Sequence, residues 1–258
     1  MEIRDKVVVI TGGASGIGAG LAERCAREGA RGIVVADVNL ERAQGVARGL
    51  GANALALRCD VSREAEIQEL VRQARERFGR IDIYCSNAGI LGQIGGIELE
   101  DALWQKMWEV HGMAHVWAAR AVIPEMLERG EGYLLVTASA AGLLNIVETP
   151  AYGVTKHAAV AVAEWLRIAY GRRGIRVSCL CPQSVQTDMT RDGTGSAAVN
   201  GVLTPEQVAE VVVQALHEER FLVLPHPEVA QYFLNKAQDY DRWLGGMQKL
   251  YARHMEGS

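Results

Sequence analysis

The chain has little proline (6 of 258 residues), few cysteines (5) and no surplus of basic charge. Lys plus Arg is 27 against 31 for Asp plus Glu, a formal net charge of −4. Without a basic excess to neutralise phosphates, nucleic acid is not the expected partner. No CxxC occurs, and Cys179-Leu180-Cys181 has neither the spacing nor the second half of a structural zinc site, so no metal is expected. Cysteines 25, 59, 85, 179 and 181 are odd in number, in a chain too large to need staples. They read as buried free thiols, with a reducing cytoplasm as the expected compartment. Long apolar runs are also missing. Val7–Ile10 ends at Thr11-Gly12-Gly13, far short of a membrane span, and the charged start Met1-Glu2-Ile3-Arg4-Asp5-Lys6 does not read as a signal peptide. What remains is ordinary: 49% hydrophobic and 22% charged residues exclude a disordered or collagen-like chain and allow a sizeable core.

Short β-branched runs alternate with amphipathic helical stretches. Strands are expected at 6–11, 32–36, 54–59, 81–85, 133–138, 175–181 and 221–224. Helices are expected at 16–28, at 39–50 with Asn39 as N-cap, and from Ser62, a candidate cap, to Phe78. The stretch 99–129 reads as helical, breaking into two near Gly112, and 151–172 as one long helix. Thr204-Pro205-Glu206-Gln207 has the form of a capping box with proline at the first helical position. Residues 183–201 read as a loop or mobile lid, and 226–258 as a helical tail rich in Tyr, Trp and Leu. Strand–helix–strand repetition implies a parallel sheet with helices on both faces. No linker or composition break divides the chain, so one domain over 1–258 is expected.

The first strand runs into Thr11-Gly12-Gly13-Ala14-Ser15-Gly16-Ile17-Gly18, at the start of a helix. Glycines let the backbone approach an anion, and the free N–H groups and helix dipole favour a diphosphate. Asp37 closes the second strand, where a carboxylate accepts hydrogen bonds from ribose hydroxyls and repels a 2′-phosphate. With no evident cation beside it, NAD(H) is expected rather than NADP(H). Tyr152 and Lys156 stand one helical turn apart. A nearby ammonium lowers a phenol's pKa, and such a phenol can move a proton while hydride leaves or joins the adjacent carbon. Ser139 follows the fifth strand, at the sheet edge where ligands bind.

These motifs, with Asp60-Val61 and Asn87-Ala88-Gly89, make the chain resemble the short-chain dehydrogenase/reductases from Lys6 to about Leu224. The resemblance implies a doubly wound Rossmann sheet of about seven strands. It implies Tyr152 as acid/base, Lys156 on the nicotinamide ribose and Ser139 on the substrate oxygen. Gly12, Ser15, Gly16, Ile17 and Gly18 would hold the diphosphate and Asp37 the ribose. Asp60 and Val61 would lie along the adenine, Asn87, Ala88 and Gly89 would line the central cleft, and Val185 and Thr187 would contact the nicotinamide end. Two residues depart from the family. His111 stands where Asn normally helps a water-linked proton relay, either as a relay or as a packing histidine. Gln183 replaces a glycine, contacting substrate or stabilising its loop.

Substrate choice is expected in 91–95, 143–149, 183–201 and the tail. Leu91, Ile94, Leu143, Leu144, Ile146, Val147 and Met189 are apolar, and Arg191 is the single cation in the mobile loop. The expected reaction is NAD-dependent interconversion of a hydrophobic or aromatic secondary alcohol and its ketone. The alternative is a 3-oxoacyl or other carbonyl reductase of the same family. A homodimer or homotetramer through the two long helices is expected. The tail's apolar stripe either covers the substrate mouth or packs on a neighbour.

Overall fold

A computed structural model describes residues 1–188 and 195–256. Strands β1 (Val7–Thr11), β2 (Gly32–Asp37), β3 (Ala54–Arg58), β4 (Ile83–Ser86), β5 (Gly132–Thr137), β6 (Ile175–Leu180) and β7 (Leu222–Val223) form one sheet. Their order is β3-β2-β1-β4-β5-β6-β7, and each pairing is parallel. The register sets Thr11 beside Ala36 and Ile10 beside Cys85, so β1, β2 and β4 end nearly level. The order reverses between β1 and β4, which opens a crevice at the carboxyl ends of the strands. This is the doubly wound Rossmann arrangement.

Alternation along the strands divides the core. Val8, Ile10, Ile33 and Val35 face one side, covered by α1 (Gly16–Arg27), α2 (Leu40–Leu50) and α8 (Pro205–Glu218). Val7, Val9, Val34 and Leu134 face the other, covered by α3 (Glu64–Phe78), α5 (Ala114–Arg129) and α7 (Pro150–Tyr170). Both faces being dry explains why the strands are continuous apolar runs. All five cysteines are free and buried. Among the described residues, no helix is long and apolar enough to cross a membrane.

Local signals acted as their chemistry predicts in most places. Asn39 accepts the Arg42 N–H and caps α2. Thr204 and Gln207 form the full capping box of α8. Ser62 does not cap α3: that position falls to Arg63, because the Ser62 hydroxyl is drawn to Asp60 Oδ1 at 2.7 Å. The 99–129 stretch begins at α4 (Asp101–Trp108) and joins α5 through a π-turn, Glu109–Met113, which contains His111 and Gly112. Such a turn inserts one extra residue into a helix and recurs beside functional sites. After β5 comes the short α6 (Ala141–Leu144), and the tail is two helices, α9 (Glu228–Gln238) and α10 (Tyr240–Met255). Asp239 separates them in extended conformation and caps α10 by accepting the Arg242 N–H.

Candidate active site

A cleft of about 590 Å³ lies along the carboxyl ends of β1, β2, β4 and β5. Gly12, Ser15, Gly16, Ile17 and Gly18 line one stretch of it, Asp37, Asp60 and Val61 another, and Asn87, Ala88 and Gly89 its middle. The glycine turn leaves no room for side chains. A Cβ on Gly18 would stand 2.0 Å from the Gly12 carbonyl oxygen, and Gly12 itself is held at φ +63°. The Ser15 hydroxyl makes no cap bond to its own helix. Serine and the unpaired first-turn N–H groups therefore face a ready anion site. Asp37 accepts the N–H groups of Ala14 (3.1 Å) and Asn39 (3.0 Å) and sits half-buried at the rim. Burial alone would raise the Asp60 pKa, but the Ser62 hydroxyl and N–H, with Lys106 and Arg63 near, outweigh it and hold the carboxyl below its ordinary value.

One hydrogen-bonded chain ties the strand ends together. Thr11 Oγ1 accepts the N–H groups of Asn87 (3.0 Å) and Ala88 (3.2 Å), and Asn87 Nδ2 donates to the Thr11 carbonyl at 3.0 Å. Asn87 Oδ1 accepts from the Thr137 hydroxyl, and the Thr137 carbonyl accepts from Lys156 Nζ at 3.0 Å. The ammonium is thus anchored to β5 through backbone, and burial pulls its pKa down to about 8. Its Nζ lies 5.6 Å from the centroid of the Tyr152 ring. The expected lowering of the phenol's pKa does not occur in the protein alone. Burial raises Tyr152 above 10, and only the hydrogen bond with Ser139 pulls it back. Desolvation disfavours both charged forms, so phenolate and ammonium weaken together.

His111 is wholly buried, and its ring meets that of Tyr152 edge-on at 5.4 Å. Nε2 accepts the Ile90 N–H at 3.0 Å, so the hydrogen-bond network assigns the proton to Nδ1. Nδ1 donates to Thr155 Oγ1 at 3.0 Å, and that hydroxyl donates to the Ala151 carbonyl at 2.8 Å. Burial, then the Lys156 charge, push the imidazole well below its usual 6.5. Both ring nitrogens are committed, and the ring stays neutral.

A second cavity, about 570 Å³, opens on the other side of Tyr152. It shares only Ser139, Tyr152 and Gln183 with the first. Its walls include Leu91, Leu144 and Ile146, then Tyr232 from α9 and Trp243, Met247 and Leu250 from α10. Gln183 Oε1 accepts from Asn200 Nδ2 at 2.9 Å, and Asn200 Oδ1 accepts from the Tyr232 hydroxyl at 3.1 Å. Gln183 therefore both lines the cavity and braces its loop. Lys236 Nζ reaches back to the Leu143 carbonyl at 2.6 Å and fastens α9 over the opening.

Residues 6–196 match the family model described as short chain dehydrogenase. The chain belongs to that family. A 1-deoxy-11-beta-hydroxypentalenate dehydrogenase from Streptomyces exfoliatus is 36% identical over 241 residues, 88% of this chain and 86% of that one. Mouse (Mus musculus) estradiol 17-beta-dehydrogenase 11 is 30% identical over 89% of this chain and 78% of its own. Among solved structures, a short chain dehydrogenase/reductase from Burkholderia phymatum in complex with NAD superposes with a TM-score of 0.86 at 30% identity, covering 93% of this chain and 96% of that one. A 3-ketoacyl-(acyl-carrier-protein) reductase from Brucella melitensis complexed with NADH gives 0.81 at 28% identity, covering 86% and 97%.

In this short-chain dehydrogenase the cleft gathers all the residues expected to hold a cofactor, Val185 and Thr187 included. Ser139, Tyr152 and Lys156 meet at its inner end, beside His111. The expected substrate residues divide. Leu91, Leu144 and Ile146 line the second cavity, whereas Ile94 is 71% exposed and Leu143 and Val147 are buried. Met189 and Arg191 lie outside the described residues. Sequence reasoning missed Arg42, which lines the cleft and pairs with Asp188 at 2.6 Å across it. It placed Thr11 in the glycine turn without its bonds to Asn87 and Ala88, and it missed Thr137, whose hydroxyl and carbonyl leave no pattern. The tail's apolar stripe is split: Trp243 and Met247 turn inward, while Tyr240 and Leu244 stay exposed.

Proposed function

We propose that this short-chain dehydrogenase interconverts a hydrophobic secondary alcohol and its ketone with NAD(H), with Tyr152 as the acid/base. The observation that carries the reading is the junction: a dinucleotide-shaped cleft and an apolar cavity touch only at Ser139, Tyr152 and Gln183. The cleft fits the cofactor through its glycine turn, the Ser15 hydroxyl, which caps no N–H of its own helix, and the rim carboxylate. When bound there, the nicotinamide supplies the hydride acceptor. Ser139 holds the substrate oxygen. Tyr152 takes the hydroxyl proton as the carbonyl forms, and returns it in the reverse direction. Lys156, fixed by Thr137, binds the nicotinamide ribose and brings positive charge to the phenol. His111 positions rather than relays, holding Ile90 and Thr155 by its two nitrogens.

Asp37 favours NAD(H), since its charge opposes a 2′-phosphate and the nearby Arg42 is engaged by Asp188. The names of the two dehydrogenase relatives support an alcohol substrate. We further read residues 1–258 as one domain, with 183–201 and the tail as its substrate side. Exposed Val154, Trp165 and Ile168 on α7 support a homo-oligomer through that helix, and the free buried thiols support a cytoplasmic setting.

The test is NADH formation at about pH 9, where the proton released by alcohol oxidation is taken up by the medium, against a panel of secondary alcohols. Tyr152→Phe should cut turnover by roughly a hundred- to ten-thousand-fold while NADH still binds by fluorescence. A variant that keeps its turnover would refute the acid/base assignment. NADP⁺ outperforming NAD⁺ would refute the cofactor assignment.

A further inference from the structure

We infer that Glu148 is a positioning residue of the second cavity: its carboxylate clasps the segments around that cavity and holds it closed. The consequence for turnover rests on the dehydrogenase reading above. Glu148 stands behind the cavity wall rather than in it. It lies on the connection between α6 and α7, two residues before Pro150 opens the helix that carries Tyr152. Its side chain is only 13% exposed. A carboxylate so placed is costly unless it is bonded. Among the described residues no lysine or arginine reaches it, and the imidazole Nδ1 of His254 stands 4.0 Å from Oε1. Ser196 supplies the bonds instead. Its N–H donates to Oε1 at 2.6 Å and its hydroxyl to Oε2 at 2.8 Å, so one residue engages both carboxylate oxygens. Gly195 precedes it at φ +105°, a conformation that favours glycine, and a Cβ there would stand 3.4 Å from Oε1.

The partners identify what the clasp joins. Ser196 and Ala197 line the cavity, and the Ala197 carbonyl accepts the N–H of Ser184, which lines it too. The Glu148 carbonyl accepts the Gly95 N–H at 3.0 Å, on the connection that places Leu91 in the wall. Leu144 and Ile146 precede Glu148 on its own connection and form a further part of the lining. His254 belongs to the last turn of α10, which contributes Trp243, Met247 and Leu250. Segments 91–95, 144–148, 195–198 and α10 thus meet at one residue outside the cavity. None of the 16 residues of α10 is buried. A wall with so little apolar packing opens at low cost, so polar contacts at its edge weigh more there than in the core. Charge-assisted bonds are about twice as strong as neutral ones. Those from Ser196 must break before the wall at 195–198 can move, which makes Glu148 a brake on exchange between cavity and solvent.

A reporter thiol tests this without a known substrate. Leu144→Cys sets a thiol in the cavity wall, whereas the five native cysteines are buried. Its labelling by N-ethylmaleimide, corrected for the parent protein, reads how often the cavity opens. Glu148→Ala should speed labelling by about tenfold, as the loss of charge-assisted bonds implies. Glu148→Gln is isosteric and keeps one acceptor oxygen, so it should restore part of the protection. Ser196→Ala, far in sequence from the reporter, should speed labelling less than Glu148→Ala. The two combined should label no faster than Glu148→Ala alone, because both act through one contact. Circular dichroism confirms that each variant is folded. With Leu144 intact, Glu148→Ala should raise KM for alcohols by about tenfold while kcat and the KM for NAD⁺ change by less than about threefold. Unchanged labelling, additive effects of the two substitutions, or faster labelling with an unchanged KM for alcohols would each overturn the inference. Faster, non-additive labelling in a protein that turns over no alcohol would leave the clasp standing and defeat the dehydrogenase reading instead.

Discussion

The two cavities are of similar volume and share three side chains, yet they are built on opposite principles. The first cleft is made of strand ends and backbone. Its glycines are forced, with a Cβ on Gly18 directly against a carbonyl and one on Gly12 within 2.8 Å of Ala88 Cα. Its polar groups are mutually bonded from Thr11 through Asn87 and Thr137 to Lys156. The second cavity is walled in part by side chains of two terminal helices, fastened by bonds such as Lys236 to Leu143, and its lining glycine, Gly246, is not forced at all. One region is a backbone mould whose shape the ligand must accept. The other is a lining that substitution can reshape without unfolding the sheet, which is how one scaffold serves many substrates.

The sharpest test of that contrast is a matched pair of glycine substitutions. Gly18→Ala should cost at least about 3 kcal/mol and abolish NADH binding, because neither the helix nor the loop can yield. Gly246→Ala should instead stabilise the protein by about 1 kcal/mol, raising the melting temperature by roughly 2–4 °C. Thermal unfolding and NADH fluorescence read both, and similar behaviour of the two variants would dissolve the distinction.

Acid should weaken the fold. His111 and His115 are buried and neutral, His115 with its pKa down at about 3. Unfolded, each titrates near 6.5, so below that pH the unfolded chain binds more protons and stability falls as pH drops. The slope is up to about 1.4 kcal/mol per unit for each histidine. Urea unfolding at two pH values, one on each side of 6.5, should show it, and His115→Gln should reduce it, with His111 and His226 keeping the rest. The neutral His111 also implies no step near 6.5 in the pH–rate profile. Alcohol oxidation should instead keep rising with pH, since Tyr152 is held above 10 and must lose its proton to act as base.

Smaller effects should stay within one cavity. Lys236→Met should raise KM for alcohols by about tenfold, speed proteolysis of the tail and leave the NADH affinity unchanged. A matching loss of NADH affinity would mean that the tail also supports the cleft. Arg42→Ala removes a pair whose partners are 50% and 40% exposed, so the KM for NAD⁺ should change by less than about fivefold.

Much of this molecule was legible before its coordinates. Hydrophobic period and glycine spacing located the strands, the phosphate turn and the Tyr152–Lys156 pair, because these depend on neighbours within one or two turns. Sidedness of the strands and the capping box at Thr204 follow from the same local rules. Misreadings arose where a side chain had a choice of partners. Ser62 turned to Asp60 instead of capping, and burial, not the Lys156 charge, sets the direction at Tyr152. Neither outcome depends on spacing alone.

By itself, then, the chain's order of residues determined a parallel doubly wound sheet, the glycine turn and the Ser139, Tyr152 and Lys156 trio. Periodicity and backbone freedom are local properties that a linear string carries in full. Only the tertiary structure decided that His111 keeps one tautomer, that Arg42 meets Asp188 across the cleft, and that Arg242 and Gly246 face the same chamber as Tyr152. Each of those depends on contacts between segments far apart in sequence. Burial and pairing there are set by packing, and packing has no signature in the spacing of residues.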